Sequence, residues 1–442
     1  MKVLKFGGTS VGSPERMNQV ASIITADDEP KVIVLSAVSG TTNSLVELGR
    51  LLKTGDKKAA KELVSELRQK YDAFVDGLVI EEDRKAEANA ILDEHFTLLN
   101  SAINLSFNEG LSKELLAQGE LLSTKLFIEL LKEKKIDAEW LNALDFMRLD
   151  EDDEPNVEFI GNNFPAKDKL NVKGKLLVTQ GFICKNSKGE VDNLKRGGSD
   201  YSASLIGAGL NAEEVQIWTD IDGMHNNDPR VVKNTYSISE LSFNEAAELA
   251  YFGAKILHPA SILPAQKYNC PVRLLNTMRP DAKGTIISGK EQDTGIKAVA
   301  AKDNITAIKI KSTRMLLAYG FLRKIFEVFE KYKTPVDMIT TSEVAVSLTI
   351  DDSSNLEKIK QELEPFGKIE IDSNQSIICL VGDFVSDRPG IVKQVFDSLT
   401  EIPVRMISYG GSRHNISVLI DTSYKASALQ SLNKGVFQLE EA

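Results

Sequence analysis

MKVLKFGGTSVGSPERM, residues 1–17, opens on a strand pattern and passes straight into Gly7, Gly8, Thr9 and Ser10. Two glycines behind a strand let the backbone turn with positive φ and come close to a ligand, an approach that a side chain would block. A phosphate group would use such a turn, with Lys5 as its cation. An ordinary glycine turn explains the same letters, so Lys5 needs partners elsewhere in the chain.

Working outward, short β-rich runs (KVLKF, KVIVLSA, KLLVTQGFI, EVQIWTD, PVRLLN) alternate with helical patterns such as SPERMNQVASIITA and SDYSASLIGAGL as far as residue 295. That alternation reads as an α/β fold with a mostly parallel sheet between helices. Residues 57–135 read as charged amphipathic helices forming a cap or a subunit contact. Within them QGE is expected to interrupt a helix at Gly119 and to set Glu120 beside the break. Past residue 296 an internal repeat appears: the run from Gly320 aligns with the run from Gly390, Phe326 with Phe396 and Asp351 with Asp421. Each copy reads as a glycine, a helix and two strands, with a strand before and a helix after. Three domains are expected: 1–295, then α+β modules at 296–372 and 373–442, with interleaving of the second with the first left open.

Composition narrows the function. The 442 residues carry a formal net charge of −11, which argues against nucleic acid or an anionic membrane as the main partner and favours small ligands. Cys184, Cys270 and Cys379 are odd in number and far apart, without the spacing of a disulfide framework or a zinc site. With no membrane-span pattern and no leader pattern before the first strand, the expected location is cytoplasmic.

Four further stretches join KFGGTS. LSAVSGTTN (35–43) is a hydroxyl-rich strand-to-helix turn that suits an anion, although, taken alone, helix capping is the better reading of its Ser and Thr. LKRGGSDYSA (194–203) brings Arg196, Gly197, Gly198, Ser199 and Asp200 in front of another helix. WTDIDGMHNNDPR (218–230) supplies Thr219, Asp220 and Arg230, and YFGAKILHP (251–259) supplies Lys255. Any one of these cations alone reads as a surface salt bridge. Together, on glycine-rich loops at strand ends, Lys5, Arg196, Arg230 and Lys255 point to a shared polyphosphate ligand. Neither a P-loop nor the protein-kinase signatures occur.

KFGGTSVG, LSAVSGTTN, QGE, RGGSDYSA, WTDIDGMHNNDPR and FGAKILHP stand in the same order as in the aspartate kinases, members of the amino acid kinase family, and the tandem repeat resembles their paired ACT modules. The resemblance covers nearly the whole chain. It implies an amino acid kinase-like sheet followed by two ferredoxin-like ACT modules, and ATP-dependent phosphorylation of the L-aspartate side chain to 4-phospho-L-aspartate, the entry step toward lysine, threonine and methionine. By this resemblance Lys5 and Asp200 are catalytic, and Gly7, Gly8, Lys255 and Arg230 bind phosphate. Ser36, Thr42, Glu120, Arg196, Gly197 and Ser199 bind aspartate, while Thr219 and Asp220 meet the nucleoside. Mg²⁺ would be held through phosphate oxygens and water, with no protein ligand assigned. His225 departs from the tyrosine usual at its place and is left out of the site.

STRMLLAYGFLRKIFEVF with VDMITTSEVAVSL resembles the effector site of lysine-inhibited members. Met315, Gly320, Phe321, Leu322, Asp337, Ser342, Glu343 and Val344 match it, with Asp337 expected to meet the ammonium of L-lysine. Ala318 replaces a serine common there. The same residues read alternatively as a contact between modules, and a homodimer or dimer of dimers through the modules is expected. An inactive amino-acid sensor and another member of the kinase family are the rival readings. No fused dehydrogenase is expected.

Overall fold

The computed structural model describes residues 1–194, 197–253, 257–291, 295–312, 319–383 and 388–439. The chain divides into two compact units: Met1–Met224 with Ser239–Phe243 and Ile256–Gly289, and His225–Ile238 with Asn244–Lys255 and Lys290–Ala442. Neither is a single run of sequence.

In the first unit the strands are β1 (Lys2–Phe6), β2 (Lys31–Leu35), β3 (Ala138–Trp140), β4 (Leu176–Gln180), β5 (Ile183–Lys185), β6 (Val191–Asn193), β7 (Glu214–Thr219), β8 (Glu240–Ser242), β9 (Val272–Asn276) and β10 (Thr285–Ser288). β5 and β6 form a separate hairpin; the others make one sheet in the order β3-β4-β2-β1-β7-β9-β10-β8. Neighbouring strands run parallel except β9 and β10. Fully buried runs such as KVIVL and LLVTQ explain why the strands show no polar alternation. β1 is the point where the order reverses, with the chain continuing to β2 on one side and returning to β7 on the other. Ligands of open α/β sheets bind at the carboxyl ends of strands around such a point.

The helices of this unit are α1 (Pro14–Ile24), α2 (Thr41–Thr54), α3 (Lys57–Leu78), α4 (Glu82–Ala102), α5 (Glu109–Glu133), α6 (Val157–Asn163), α7 (Gly198–Gly209) and α9 (Pro259–Lys267), whereas α8 (Phe243–Tyr251) belongs to the second unit from Asn244 on. α3, α4 and α5 are more than a solvated cap. Val64, Tyr71, Phe74, Leu92, Phe96 and Phe127 share one core with Phe6, Ile33 and Leu35 of the sheet. The expected break at QGE is also corrected, because α5 runs unbroken through Gly119 and Glu120. Gly119 serves close packing: a Cβ there would stand 2.9 Å from the Ala37 Cβ.

The second unit is built on β11 (Gly295–Lys311), α10 (Phe321–Lys331), β12 (Ile339–Thr341), β13 (Ala345–Ile350), α11 (Leu356–Leu363), β14 (Lys368–Asp383), α12 (Ile391–Ser398), β15 (Val404–Tyr409), β16 (Asn415–Asp421) and α13 (Lys425–Phe437). Its sheet has the order β12-β13-β11-β14-β16-β15. The repeat is visible in the backbone: Gly320 and Gly390 open α10 and α12 with φ of 76° and 88°, a conformation that favours glycine. The two long central strands each serve two cores. Ile308 and Ile310 of β11 pack with α10 and α11, whereas Val299 packs with Ile378 and Leu380 of β14 and with α12 and α13. Ile296, Val299 and Ala301 therefore pack in the core of the second repeat, not the first. Val232 joins that same core, which is why part of the expected 1–295 segment clusters here.

Among the described residues no helix is long and apolar enough to cross a membrane. Cys184, Cys270 and Cys379 are buried.

Candidate active site

Lys5 stands in β1 between Val34 of β2 and Ile217 of β7. Its ammonium is 2.6 Å from the Asp200 carboxylate in the first turn of α7, and both side chains are largely buried. Gly7 leaves the space beside this ammonium open, since a Cβ on it would stand 3.3 Å from the Lys5 Nζ. Gly8 packs against the Ala37 carbonyl and Gly12 against Ser39, so the turn after β1 and the turn after β2 are held together.

The turn after β2 does not use its hydroxyls as caps. Gly40 is the N-cap of α2, with no side-chain capping bond. Ser36 instead donates to the Ser199 hydroxyl at 2.9 Å, linking β2 to α7. Thr42 stands half-buried in the first turn of α2, and Thr41 bonds the Tyr71 hydroxyl at 2.9 Å. Gly197 caps α7 with φ 71°, and a side chain there would run into Ser261.

Glu120 reaches the same turn from α5. One of its oxygens accepts from the Ala37 N–H at 3.3 Å; the other, also buried, has no hydrogen-bond partner among the described residues. Burial pushes its carboxyl up to about 8, against a smaller lowering by the Ala37 N–H. A buried carboxylate with a free oxygen lacks a cation. Behind it, Thr124 donates to the Glu120 carbonyl at 2.9 Å and accepts from Gln180 at 2.8 Å, fixing this turn of α5 to the end of β4.

Thr219 ends β7, its hydroxyl accepting from the Ile221 N–H at 3.0 Å, and Asp220 follows, exposed. Arg230 belongs to the second unit, where its exposed guanidinium grips Asp228 at 2.8 and 2.9 Å. Arg196, Lys255 and Met315 lie outside the described residues. The structure thus brings together Lys5, Gly7, Gly8, Ser36, Glu120, Ser199 and Asp200.

Sequence reasoning missed Gly181 and Lys70. Gly181 follows β4 as Gly7 follows β1, and a Cβ on it would come within 2.7 Å of the Ser199 Cα, so the strand-then-glycine signal was there to read. Lys70 of α3 donates to the Ser39 carbonyl at 2.6 Å, a contact between residues 31 positions apart that no local pattern announces.

Of the residues matched to an effector site, Gly320, Phe321 and Leu322 open α10, with Phe321 buried and Leu322 exposed. Asp337 and Ser342 stand at opposite ends of the β12–β13 hairpin, the first bonded to Thr349 and the second to Ala345. Ser342 and Val344 line a cavity of about 670 Å³ with Lys309, Lys311 and Phe366, and Glu343 is exposed beside them. One chain does not bring this set together. With PVDMI (335–339) laid on PVRMI (403–407), Arg405 takes the place of Asp337, so the carboxylate occurs in the first repeat alone.

Residues 1–276 match the Amino acid kinase family and residues 378–435 match the ACT domain. Lysine-sensitive aspartokinase 3 of Escherichia coli (strain K12) is 35% identical over 448 residues, covering 99% of both chains. The crystal structure of E. coli aspartokinase III in complex with aspartate and ADP, an R-state, superposes with a TM-score of 0.83 at 35% identity over 99% of this chain and 100% of that one. The same protein in complex with lysine and aspartate, a T-state, gives a TM-score of 0.82 over 99% of each chain. With the Lys5–Asp200 pair at the sheet's reversal point and two ACT-like repeats later in the sequence, this chain belongs to the amino acid kinase family and, within it, to the aspartokinases.

Proposed function

We infer that this chain is an aspartate kinase: it transfers the γ-phosphoryl group of ATP to the side-chain carboxylate of L-aspartate, and L-lysine inhibits it. The observation that carries this reading is the buried Lys5–Asp200 pair beside side-chain-free Gly7, with the unpartnered Glu120 oxygen on the neighbouring turn. The likeness to structures holding aspartate with ADP, and lysine with aspartate, supports substrate, nucleotide and effector.

A carboxylate is already a nucleophile at neutral pH, so the reaction needs no general base. The attacking oxygen bonds the γ-phosphorus as the bond to the β-γ bridging oxygen breaks, and ADP leaves. Charge is the obstacle, and positioned positive groups lower it. We assign Lys5, with the Gly7 and Gly8 amides, to the transferring phosphoryl group. Asp200 orients Lys5 and takes no proton. Glu120 receives the α-ammonium of aspartate, Arg196 its α-carboxylate, and Ser36, Thr42, Gly197 and Ser199 supply hydrogen bonds. Thr219 and Asp220 are assigned to the nucleoside, and Lys255 and Arg230 to the ATP phosphates, on the strength of their motifs. Mg²⁺ would offset phosphate charge when bound with the nucleotide. Among the described residues no cluster of three acidic, His or Cys side chains suits a metal, so no protein ligand is assigned.

We further propose a catalytic domain at 1–295 and ACT-like modules at 296–372 and 373–442, interleaved through β11 and β14. The effector set, divided between the two hairpin ends, supports a dimer in which a second copy completes the site. β12 and β15 are the sheet's outer strands, with Ile339, Ile407 and Tyr409 exposed on them. A cytoplasmic location fits the three buried, widely spaced cysteines.

A hydroxamate assay with ATP, Mg²⁺ and L-aspartate tests the reading. Aspartyl hydroxamate is expected, diminished by millimolar lysine. Its absence would refute the kinase assignment, and insensitivity to lysine would refute the regulatory one alone.

A further inference from the structure

The second unit holds a buried ion cluster for which phosphoryl transfer has no use. Lys302 of β11 donates to an Asp337 oxygen at 2.8 Å, pairs with Asp351 at 2.8 Å, and lies 4.4 Å over the Tyr251 ring. The Tyr251 hydroxyl donates to that same Asp337 oxygen at 2.7 Å. The Asp337 side chain is fully buried, and its other oxygen has no hydrogen-bond partner among the described residues. Burial disfavours the charge on Lys302, yet the Asp337 and Asp351 carboxylates outweigh it and raise its pKa. Burial, then Asp337, push the Tyr251 hydroxyl up, so it stays a donor.

A buried carboxylate already gripping an alkylammonium, with one oxygen to spare, is a seat shaped for an alkylammonium. Resting on the assignment of Asp337 to the effector's ammonium, we propose that Lys302 is an internal stand-in for that ammonium and that Tyr251 reports the exchange. Two ammonium groups repel one another at a single carboxylate. The arriving one drives Lys302 onto Asp351 and draws both Asp337 oxygens to itself, turning the carboxylate away from the Tyr251 hydroxyl, which loses its acceptor. Tyr251 is the last residue of α8, four before Lys255 in sequence. The preceding turns of α8 are tied elsewhere: Glu245 to Lys297 at 2.9 Å, and Glu248 to Ser412 at 2.9 Å and Asn415 at 2.6 Å. Spaced three apart, Glu245, Glu248 and Tyr251 share one helix face. Losing the Tyr251 bond therefore frees the end of α8 while its start stays clamped.

The test uses the full chain and measures lysine inhibition and lysine binding side by side, by kinetics and calorimetry. For Tyr251→Phe we expect a kcat near wild type and an unchanged lysine Kd, with the inhibitory concentration raised by roughly tenfold or more, within the usual range of coupling between sites. For Lys302→Met we expect tighter lysine binding, and thermal stabilisation by butylammonium that the wild type does not show. If Tyr251→Phe is inhibited like the wild type, or if its Kd and inhibitory concentration rise together, the reporter role is overturned. Weaker lysine binding by a folded Lys302→Met overturns the stand-in. A wild type that neither binds lysine nor is inhibited by it overturns the effector assignment itself, and this proposal with it, before any variant is made.

Discussion

The ammonium of Lys5 and the carboxylate of Asp200, 2.6 Å apart, join the central strand of the large sheet to the first turn of α7. Residues 195 positions apart in sequence are thereby fixed at one point. For Lys5→Met we expect kcat to fall by about 10²- to 10³-fold, the usual cost of removing one preorganised electrostatic donor, with an unchanged far-UV spectrum. Asp200→Asn should lower kcat as well, because Lys5 loses the partner that aims it. Steady-state kinetics check both, and unchanged turnover in Lys5→Met would remove Lys5 from the mechanism.

Glu120 gives a pH signature. Its folded-state pKa, about 8, lies above the ordinary carboxylate value, so its contribution to stability is complete below about pH 4.5 and is lost as pH rises through 8. The ligand-free enzyme should therefore melt at a lower temperature at pH 9 than at pH 6, and Glu120→Gln should flatten that slope. Aspartate's ammonium favours the ionised carboxylate, so binding should release a proton, seen as a buffer-dependent heat in calorimetry. The KM for aspartate should fall as pH approaches 8. Glu120→Gln should raise it about 10- to 100-fold, the loss of one hydrogen bond to a charged group.

Gly181 faces Ser199 so closely that a methyl group there would meet its backbone, 2.7 Å from the Cα. Gly181→Ala should cost about 1–3 kcal/mol through overpacking. It should also lower kcat, since Ser199 and Asp200 are adjacent on the helix that must shift. Chemical denaturation and kinetics on the same preparation separate the two effects.

The shared strands of the second unit make a prediction about fragments. A chain of residues 373–442 alone lacks the partner that 295–302 provides to β14, together with Val299 of its core. It should fail to give a cooperative thermal transition, and adding a peptide spanning 290–305 should restore one.

Much of the first unit is legible in local pattern. KVLKF, KVIVL, EVQIWT and VRLLN announce their strands by β-branched runs, and the glycines at 7–8 and 197–198 mark the turns that flank Lys5 and Asp200. What stays hidden is tertiary in cause. Gly119 looks like a helix breaker, and only the approach of Ala37 reveals it as a packing glycine inside an unbroken α5. The hydroxyls of residues 36–42 look like caps until Ser199, from a distant helix, takes the Ser36 bond. The repeat is visible from Gly320 and Gly390, but no periodicity tells that one strand crosses from one core into another. Nor does it tell that Lys302, Asp337, Asp351 and Tyr251 meet, because each pair joins segments separated in sequence.

The threading of β11 and β14 also sets an order of events during synthesis. The first half of β11 is translated about 80 residues before residues 377–383, with which it pairs, and its apolar face waits uncovered while an entire repeat emerges from the ribosome. Closing so long a loop is slow compared with folding a local hairpin, and an unpaired strand edge in the meantime invites aggregation. Nascent chains stalled before residue 377 should engage chaperones more strongly than those released after residue 421.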